Sequence, residues 1–192
     1  MRIIAGRHRG LRLADIGRSA PGTRLRPTSD RVRESLFNVL VGGAYGDPFT
    51  GARVLDLFAG TGALGLEALS RGAAHVTFVE KGRKGQALIR ENLARARCGD
   101  DAALLHADAT RLPLNSGEPC RLVFLDPPYG KGLGEHALAS ATAGGWLAEG
   151  ALVIWEENAP QVAPPGFVTL DRRRYGDTWI TILGAGAEPE RS

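Results

Sequence analysis

The chain has 192 residues, of which 43% are hydrophobic, and carries a formal net charge of +3. This length suits one compact domain, and no apolar run approaches the roughly 20 residues that a membrane-spanning helix needs. Charged residues interrupt the apolar ones at the N-terminus, so the sequence predicts no signal peptide. Cys98 and Cys120 lack metal-ligand or redox spacing and are expected to be reduced thiols. We therefore expect a cytoplasmic protein that binds neither a membrane nor a metal ion, and a monomer is the default expectation.

The positive charge is concentrated at the N-terminus. Residues 1–33 contain nine arginines and two acidic residues, a balance of +7, whereas the rest of the chain has 15 basic and 19 acidic residues, or −4. A basic arm on a mildly acidic body predicts a polyanionic partner, although a solvated basic surface is the alternative. The candidates for phosphate contacts in this arm are Arg7, His8, Arg9, Arg24 and Arg26.

The predicted elements begin with a small hairpin. Its two short strands are Arg2–Ala5 and Leu11–Leu13. A helix is expected after Pro27–Asp30, with its apolar face formed by Val32, Leu36, Phe37, Leu40 and Val41. From residue 53 onward, short apolar runs alternate with helical segments. The expected strands are Arg53–Leu57, His75–Glu80, Ala102–His106, Arg121–Asp126 and Ala151–Glu156, and the expected helices are Gly62–Arg71, Lys84–Arg97 and Gly134–Ala143. Phe167–Arg174 and Thr178–Leu183 are predicted to form a terminal antiparallel hairpin.

A glycine-rich loop follows the first long strand. Gly60, Gly62 and Gly65 match G-x-G-x-x-G, and Glu80 comes 20 residues after Gly60, as in a dinucleotide site. This pattern alone does not separate NAD from S-adenosylmethionine (SAM). A carboxylate at the strand end, Asp56, suits the ammonium and sulfonium of SAM and would repel a pyrophosphate. The sequence therefore favours SAM, contacted by Asp56, Phe58, Ala59, Gly60, Thr61 and Gly62.

Acidic residues also end the next two predicted strands. Glu80, followed by Lys81, can accept hydrogen bonds from both ribose hydroxyls, or it is an exposed acid at a strand end. Asp108 can accept from the adenine amino group while the Ala109 N–H reaches a ring nitrogen. Because aspartate is also common in turns, a purely structural Asp108 is the alternative.

The motif Asp126-Pro127-Pro128-Tyr129 directly follows the fourth predicted strand. An exocyclic amine of a nucleobase is a poor nucleophile because its lone pair is delocalised into the ring. The Asp126 carboxylate and the Pro127 carbonyl can hold the two amine hydrogens so that the nitrogen pyramidalises, and the prolines stiffen the turn. Tyr129 offers a face on which the base can stack. The motif therefore predicts methylation of an exocyclic amine, and a rigid surface turn is the alternative.

Three stretches are characteristic when taken together: Arg2–Gly6 with Gly10-Leu11, then the R-P-T-S-D-R-V-R-E-S-L-F-N run at 26–38, and the 55–65 loop together with Asp126–Tyr129. These stretches resemble the RsmD family of bacterial 16S rRNA guanine-N2 methyltransferases. The second stretch is the most specific, and the similarity covers nearly the whole chain. The resemblance implies SAM as donor, the N2 amine of one guanine as acceptor, and 16S rRNA within the small subunit or an assembly intermediate as partner. Thr28 and Arg31 would then lie near the SAM carboxylate or the RNA backbone.

These patterns together predict an α/β fold. Repeating strand–helix units indicate a parallel sheet covered on both faces. With the terminal hairpin, this is a Rossmann-like, seven-stranded class I SAM-dependent methyltransferase sheet. We expect an N-terminal basic extension of hairpin and helix at 1–42, the methyltransferase core at 43–184 and a flexible tail at 185–192.

Other functions are compatible with parts of the sequence. The same chemistry could act on adenine N6 in DNA or on a protein glutamine amide, although little chain is left for a DNA-recognition domain. An NAD-dependent oxidoreductase would leave Asp126–Tyr129 unexplained, and a non-catalytic RNA-binding module would not need it intact. The run Arg172-Arg173-Arg174 either contacts phosphates or is a charged edge strand.

Overall fold

A seven-stranded mixed sheet forms the centre of the protein in a computed structural model that describes residues 1–15 and 30–186. The strands are β1 Arg53–Leu57, β2 His75–Val79, β3 Ala102–Leu105, β4 Cys120–Leu125, β5 Leu147–Glu157, β6 Phe167–Tyr175 and β7 Thr178–Ala185. Their order across the sheet is β3-β2-β1-β4-β5-β7-β6. β1 to β5 run parallel, and β7 is antiparallel to both β5 and β6. The predicted class I methyltransferase sheet with its terminal hairpin is confirmed.

Four α-helices cover this sheet within the described residues. They are α1 Asp30–Val41, α2 Ala63–Ser70, α3 Arg83–Ala96 and α4 Leu133–Ala143. The central strands are apolar on both faces because helices pack on each side. Val54 belongs to the core cluster with α1, α2 and α3, whereas the next residue, Leu55, belongs to the cluster with α4. None of the described helices is long and apolar enough to cross a membrane.

The N-terminal hairpin is fastened along α2. The buried carboxylate of Glu67 accepts hydrogen bonds from the backbone N–H of Ile4 at 2.7 Å and of Ala5 at 3.0 Å. At the tip of the hairpin, Gly6 has φ +81° and lies so close to Ser70 that an added Cβ would be 1.8 Å from its carbonyl oxygen. The tip therefore lies at the C-terminal end of α2. Ile3 and Leu13 join the same core cluster as α1, so the predicted extension packs into the core of the domain.

Two predicted features of the elements are wrong. The sequence predicts Val41 on the apolar face of the first helix, but it is 50% exposed because it is the last residue of α1 and, unlike its buried neighbour Leu40, does not pack into the core. The fifth strand begins at Leu147, four residues before the predicted start, because β5 continues past Gly150 at φ 70° and the register with β4 shifts between Cys120 and Leu122. Of the predicted tail, Ala185 is the buried last residue of β7, and residues 187–192 lie outside the described part of the chain.

Candidate active site

The carboxyl ends of the parallel strands meet at one edge of the sheet, which we call the catalytic edge. Leu57 at the end of β1 is level with Val79 of β2 and with Leu125 of β4, and Leu125 is level with Trp155 of β5. The segments that follow β1, β2, β3 and β4 are therefore neighbours, as expected for a ligand site of an open α/β sheet. They contain the glycine loop, Glu80, Asp108 and Asp126.

The glycine loop has a backbone that few sequences can adopt. Gly60 and Gly62 have φ values of 57° and 78°, and Phe58, a residue with a side chain, also has a positive φ of 60°. A left-handed conformation at a residue other than glycine is costly and persists where the surrounding structure holds it. At Gly65 a Cβ would lie 2.4 Å from the Phe78 ring, so glycine lets α2 pack closely on β2. The loop is thus held tightly against the sheet.

Asp56, a residue of β1, anchors the glycine loop through its side chain. Its carboxylate is 2% exposed and accepts a hydrogen bond of 2.9 Å from the backbone N–H of Gly65, in the first turn of α2. Burial raises the pKa of Asp56 to about 8, partly opposed by that hydrogen bond, and the nearby charge of Glu80 raises it further. The structure thus gives Asp56 a role in ordering the loop. Direct contact with a cofactor stays a prediction.

Glu80 bridges the loop and the start of α3. One carboxylate oxygen accepts from the Gly60 N–H at 2.9 Å and the other from the Gly82 N–H at 2.6 Å. This close approach requires Gly85, where a Cβ would lie 2.8 Å from the Glu80 carboxyl carbon. Each oxygen keeps a further lone pair, so the carboxylate can still accept a hydroxyl proton from a bound ligand.

Asp108 is held firmly as an anion. Its Oδ1 accepts from the Thr110 N–H at 3.0 Å and the Thr110 hydroxyl at 2.8 Å, and its Oδ2 pairs with Lys81 Nζ at 3.0 Å. The Thr110 backbone hydrogen bond, followed by the Lys81 bond, lowers the pKa of Asp108 to about 2. Lys81 therefore joins the ends of β2 and β3, and Ala109 is buried in the turn that Asp108 caps. In this conformation, Oδ2 is the oxygen that faces fewer internal donors.

Asp126 lies beside a second group of acidic residues. Burial raises its pKa well above the ordinary value, and the negative charges of Glu156, Asp56 and Glu157 raise it further. Pro127 is buried and Pro128 is exposed, so one proline of the turn is packed in the interior and the other lies at the surface. Acidic side chains gathered this closely favour a cationic ligand, because its charge stabilises their ionised forms.

Glu156 and Glu157, at the end of β5, organise the loop that contains Tyr129. The Tyr129 hydroxyl donates to Glu156 Oε1 at 2.8 Å, and the Gly130 N–H donates to Glu157 Oε1 at 3.1 Å. Both glutamates are at least 95% buried, and the burial of Tyr129 together with the charge of Glu156 raises the pKa of its phenol. Sequence reasoning missed these two residues. The signal available was a pair of acidic residues ending an otherwise apolar strand.

Asn92 of α3 connects the N-terminal segment to the glycine loop. Its fully buried amide accepts from the Ala14 N–H at 2.6 Å and donates to the carbonyls of Ala14 at 3.1 Å and Thr61 at 3.0 Å. This link was also missed, since a lone asparagine within a helix gives no signal of such a contact. The segment before residue 16 therefore reaches the catalytic edge.

Of the residues predicted to lie near the SAM carboxylate or the RNA backbone at the start of α1, the structure describes Arg31. Val41, at the C-terminal end of α1, borders the same cavity as Gly6 and Phe49, at the edge where the strands begin. Arg31, near the other end of α1, is exposed, and its contact with a cofactor or with RNA stays a prediction. Thr28 lies outside the described residues, as do Arg24 and Arg26.

The remaining basic candidates lie away from Asp126. The Arg7 backbone N–H donates to the Ser70 carbonyl at 2.8 Å, and the His8 N–H donates to the Ser70 hydroxyl at 2.9 Å, so both lie at the far end of α2. An eight-residue helix is about 12 Å long. Arg7 also pairs with Asp101 at 2.7 Å, and Arg9 is exposed at the hairpin tip. The structure thus separates Arg7, His8 and Arg9 from the catalytic edge.

The sheet order, the glycine loop and the Asp126–Tyr129 turn at one edge define a class I methyltransferase. The family model described as Conserved hypothetical protein 95 matches residues 1–184. The chain is 41% identical over 164 residues to Ribosomal RNA small subunit methyltransferase D of Escherichia coli, covering 85% of this chain and 78% of that one. Its Haemophilus influenzae counterpart is 35% identical over 92% of this chain and 89% of its own. The protein therefore belongs to the RsmD family of methyltransferases.

A solved structure agrees with this assignment. The Escherichia coli methyltransferase yhhF superposes with a TM-score of 0.81 at 36% sequence identity, covering 98% of this chain and 99% of that one. The resemblance carried by the sequence motifs is thereby confirmed at the level of the family and the fold.

Proposed function

We propose that this protein transfers a methyl group from SAM to the N2 amine of a guanine in small-subunit ribosomal RNA. The observation that carries the proposal is the meeting of Asp126–Tyr129 with the glycine loop at the ends of neighbouring strands β4 and β1. The printed names of its relatives, Ribosomal RNA small subunit methyltransferase D, support RNA of the small subunit as substrate. The RsmD resemblance supports guanine N2 as the acceptor.

The residues at the catalytic edge fit a cationic methyl donor. When bound, SAM supplies a methyl group on a positively charged sulfur, and the carboxylates around Asp126 favour that charge. Glu80 keeps lone pairs for ribose hydroxyls, and Asp108 Oδ2 remains the candidate acceptor for the adenine amine. The turn from Gly60 to Gly62, shaped by Asp56, would pass beside the methionine part.

Asp126 and Tyr129 would act on the acceptor base. The Asp126 carboxylate and the Pro127 carbonyl accept the two amine hydrogens, which turns the nitrogen lone pair out of conjugation and toward the methyl carbon. With SAM bound, its methyl carbon would be transferred to this nitrogen, and the bonding pair of the carbon–sulfur bond would stay on sulfur. The amine would then lose one proton, and the Asp126 carboxylate that accepts its hydrogen would be the base that takes it. Tyr129 supplies a stacking face, so catalysis is mainly positioning and electrostatics.

The test is transfer of labelled methyl from SAM to unmethylated small ribosomal subunits, followed by nucleoside analysis. Naked rRNA and duplex DNA serve as alternative acceptors. We expect N2-methylguanosine with the wild-type protein and at least a hundredfold less with Asp126→Ala, within the range for loss of a preorganised polar contact. Glu118→Gln, an exposed acid before β4, is the control that keeps activity. Label in DNA as N6-methyladenine, or in protein, would replace the proposed acceptor.

A further inference from the structure

The terminal hairpin brings a row of arginines to the catalytic edge. β6 is the last strand of the sheet and runs parallel to β5, so its C-terminal end lies at the same edge as Glu157. The strand register fixes this placement: Glu157 is level with Trp179 of β7, and Trp179 is level with Arg174 of β6. Two strand spacings separate the backbones of Glu157 and Arg174, about 10 Å.

Arg172 and Arg174 share one face of β6, since side chains alternate along a strand. They lie on the face that carries Glu157 and Trp179. Arg174 lies over the Trp179 ring, 5.9 Å from its centroid. The Glu157 side chain holds the Gly130 N–H, one residue after Tyr129 and one before exposed Lys131. The same face of the sheet thus continues from the turn that would hold the base to these two arginines.

Both guanidinium groups are fixed in position without being neutralised by the described residues. Arg172 donates to the Gln161 carbonyl at 3.0 Å, and Arg174 donates to the Gly176 carbonyl at 2.8 Å. Arg173, in contrast, pairs with Asp171 at 2.7 Å. Both Arg172 and Arg174 are exposed. Their spare N–H groups can therefore bind an oxyanion in solution with little loss of side-chain freedom.

We propose that Arg172 and Arg174 bind the RNA phosphates that flank the target base, an inference that rests on the proposed RNA substrate. Preorganised and accessible positive charge on β6 lies three strand spacings, about 14 Å, from β4 and the Asp126–Tyr129 turn that follows it. This placement suits a polyanion whose base must reach Asp126. The basic hairpin tip is less suited to this role, because Arg7 is paired with Asp101 and lies at the other end of α2. The β6 arginines thus position the RNA, and the hairpin tip lies outside that contact.

The test compares two charge-matched double variants, R172Q/R174Q and R7Q/R9Q, by the salt dependence of binding to deproteinised small-subunit rRNA. Log affinity falls as log salt rises, and each lost phosphate contact makes this negative slope shallower by about 0.7 to 0.9. For R172Q/R174Q the affinity deficit relative to wild type is therefore expected to shrink about 7- to 12-fold between about 50 and 200 mM salt. R7Q/R9Q is the matched variant at the opposite edge, and its slope is expected to equal that of wild type because the hairpin tip lies outside the contact. An unchanged slope in R172Q/R174Q overturns the proposal whatever R7Q/R9Q does.

Two further readouts separate this inference from the proposed function. SAM affinity and thermal unfolding are expected to match wild type in R172Q/R174Q, which shows that a lower slope does not come from misfolding. Methyl transfer by the wild-type protein is scored separately. If wild type transfers no methyl group to RNA but R172Q/R174Q still lowers the slope, the binding surface stands and the proposed reaction falls. If wild type methylates RNA and the slope is unchanged, the reaction stands and the surface falls.

Discussion

The hydroxyl of Tyr129 donates a 2.8 Å hydrogen bond to Oε1 of Glu156, a residue 4% exposed at the end of β5. This bond fixes the phenol ring and with it the face offered to a base. Tyr129→Phe keeps the ring and loses the bond, and we expect kcat/KM for RNA methylation to fall about tenfold, near the lower limit for a hydrogen bond to a charged group.

A double-mutant cycle checks that the two residues act as a pair. We expect Glu156→Gln to have a much smaller effect on kcat/KM in the Tyr129→Phe background than in wild type, both measured at saturating SAM. Tyr129→Ala, which also removes the ring, is expected to be worse than Tyr129→Phe. If the two substitutions instead reduce kcat/KM by independent factors that multiply, Glu156 does not act through Tyr129.

The pH dependence of kcat/KM is expected to report Asp126. A protonated carboxyl cannot accept both a base amine and its proton, so activity rises with pH as Asp126 ionises. Burial, followed by the charge of Glu156, raises the pKa of Asp126, and removing that neighbouring charge lowers it. The acidic limb of kcat/KM is therefore expected at a higher pH than for an ordinary aspartate, and at a lower pH in Glu156→Gln than in wild type. A limb at the same pH in both proteins would contradict the interaction.

Asp56 is expected to make the stability of the ligand-free protein depend on pH. Its pKa of about 8 in the folded state exceeds the ordinary value of 3.8, so the folded protein binds more protons between these values. The free energy of unfolding is therefore highest below about pH 4 for this group and falls as pH rises toward 8. Asp56→Asn, which keeps an oxygen for the Gly65 N–H, is expected to flatten this fall in urea unfolding at pH 5 and pH 8. Asp177→Asn, in the exposed β6–β7 turn, is the control that leaves it unchanged.

Glu80 is expected to contribute to SAM affinity. Glu80→Ala removes acceptors from the Gly60 and Gly82 N–H groups as well as from the ligand, so we expect binding to weaken by about 1–3 kcal/mol in calorimetry. Glu91→Gln removes a nearby exposed carboxylate on α3 that pairs with Arg95, and it is expected to leave the affinity unchanged. Equal SAM affinities in wild type, Glu80→Ala and Glu91→Gln would show that Glu80 is not part of the binding site.

Asn92 is expected to couple fold stability to the cofactor loop. Asn92→Ala leaves the Ala14 backbone and the Thr61 carbonyl without their buried partner, and we expect the free energy of unfolding to fall by about 2–4 kcal/mol. SAM affinity is expected to fall as well, because Thr61 lies in the glycine loop. Unfolding and calorimetry on the same samples separate the two effects, and a stability loss with unchanged affinity would show that the link serves the fold alone.

Local sequence patterns predicted most of the sheet. Short apolar runs bounded by glycine and charged residues located β1, β2, β3 and β4 within one residue at each end, because a strand covered on both faces must be apolar throughout. β5 was less predictable, since Gly150 interrupts its pattern while the strand continues around an irregular pairing. The burial of Val41 at the end of α1 was also misjudged, because helical periodicity does not show where the surrounding core stops.

The sequence by itself determined the family, the fold and the candidates at the catalytic edge, because the glycine loop and Asp126–Tyr129 are contiguous motifs at strand ends. Only the tertiary structure could join residues far apart in the chain. Glu156 reaches Tyr129 across 27 positions and Asn92 reaches Ala14 across 78. It also decided which basic residues face the catalytic edge, since the path of α2 takes the hairpin tip away from it while the register of β5, β7 and β6 brings Arg174 to it. Such relationships depend on how elements pack, and packing is not written in any local pattern.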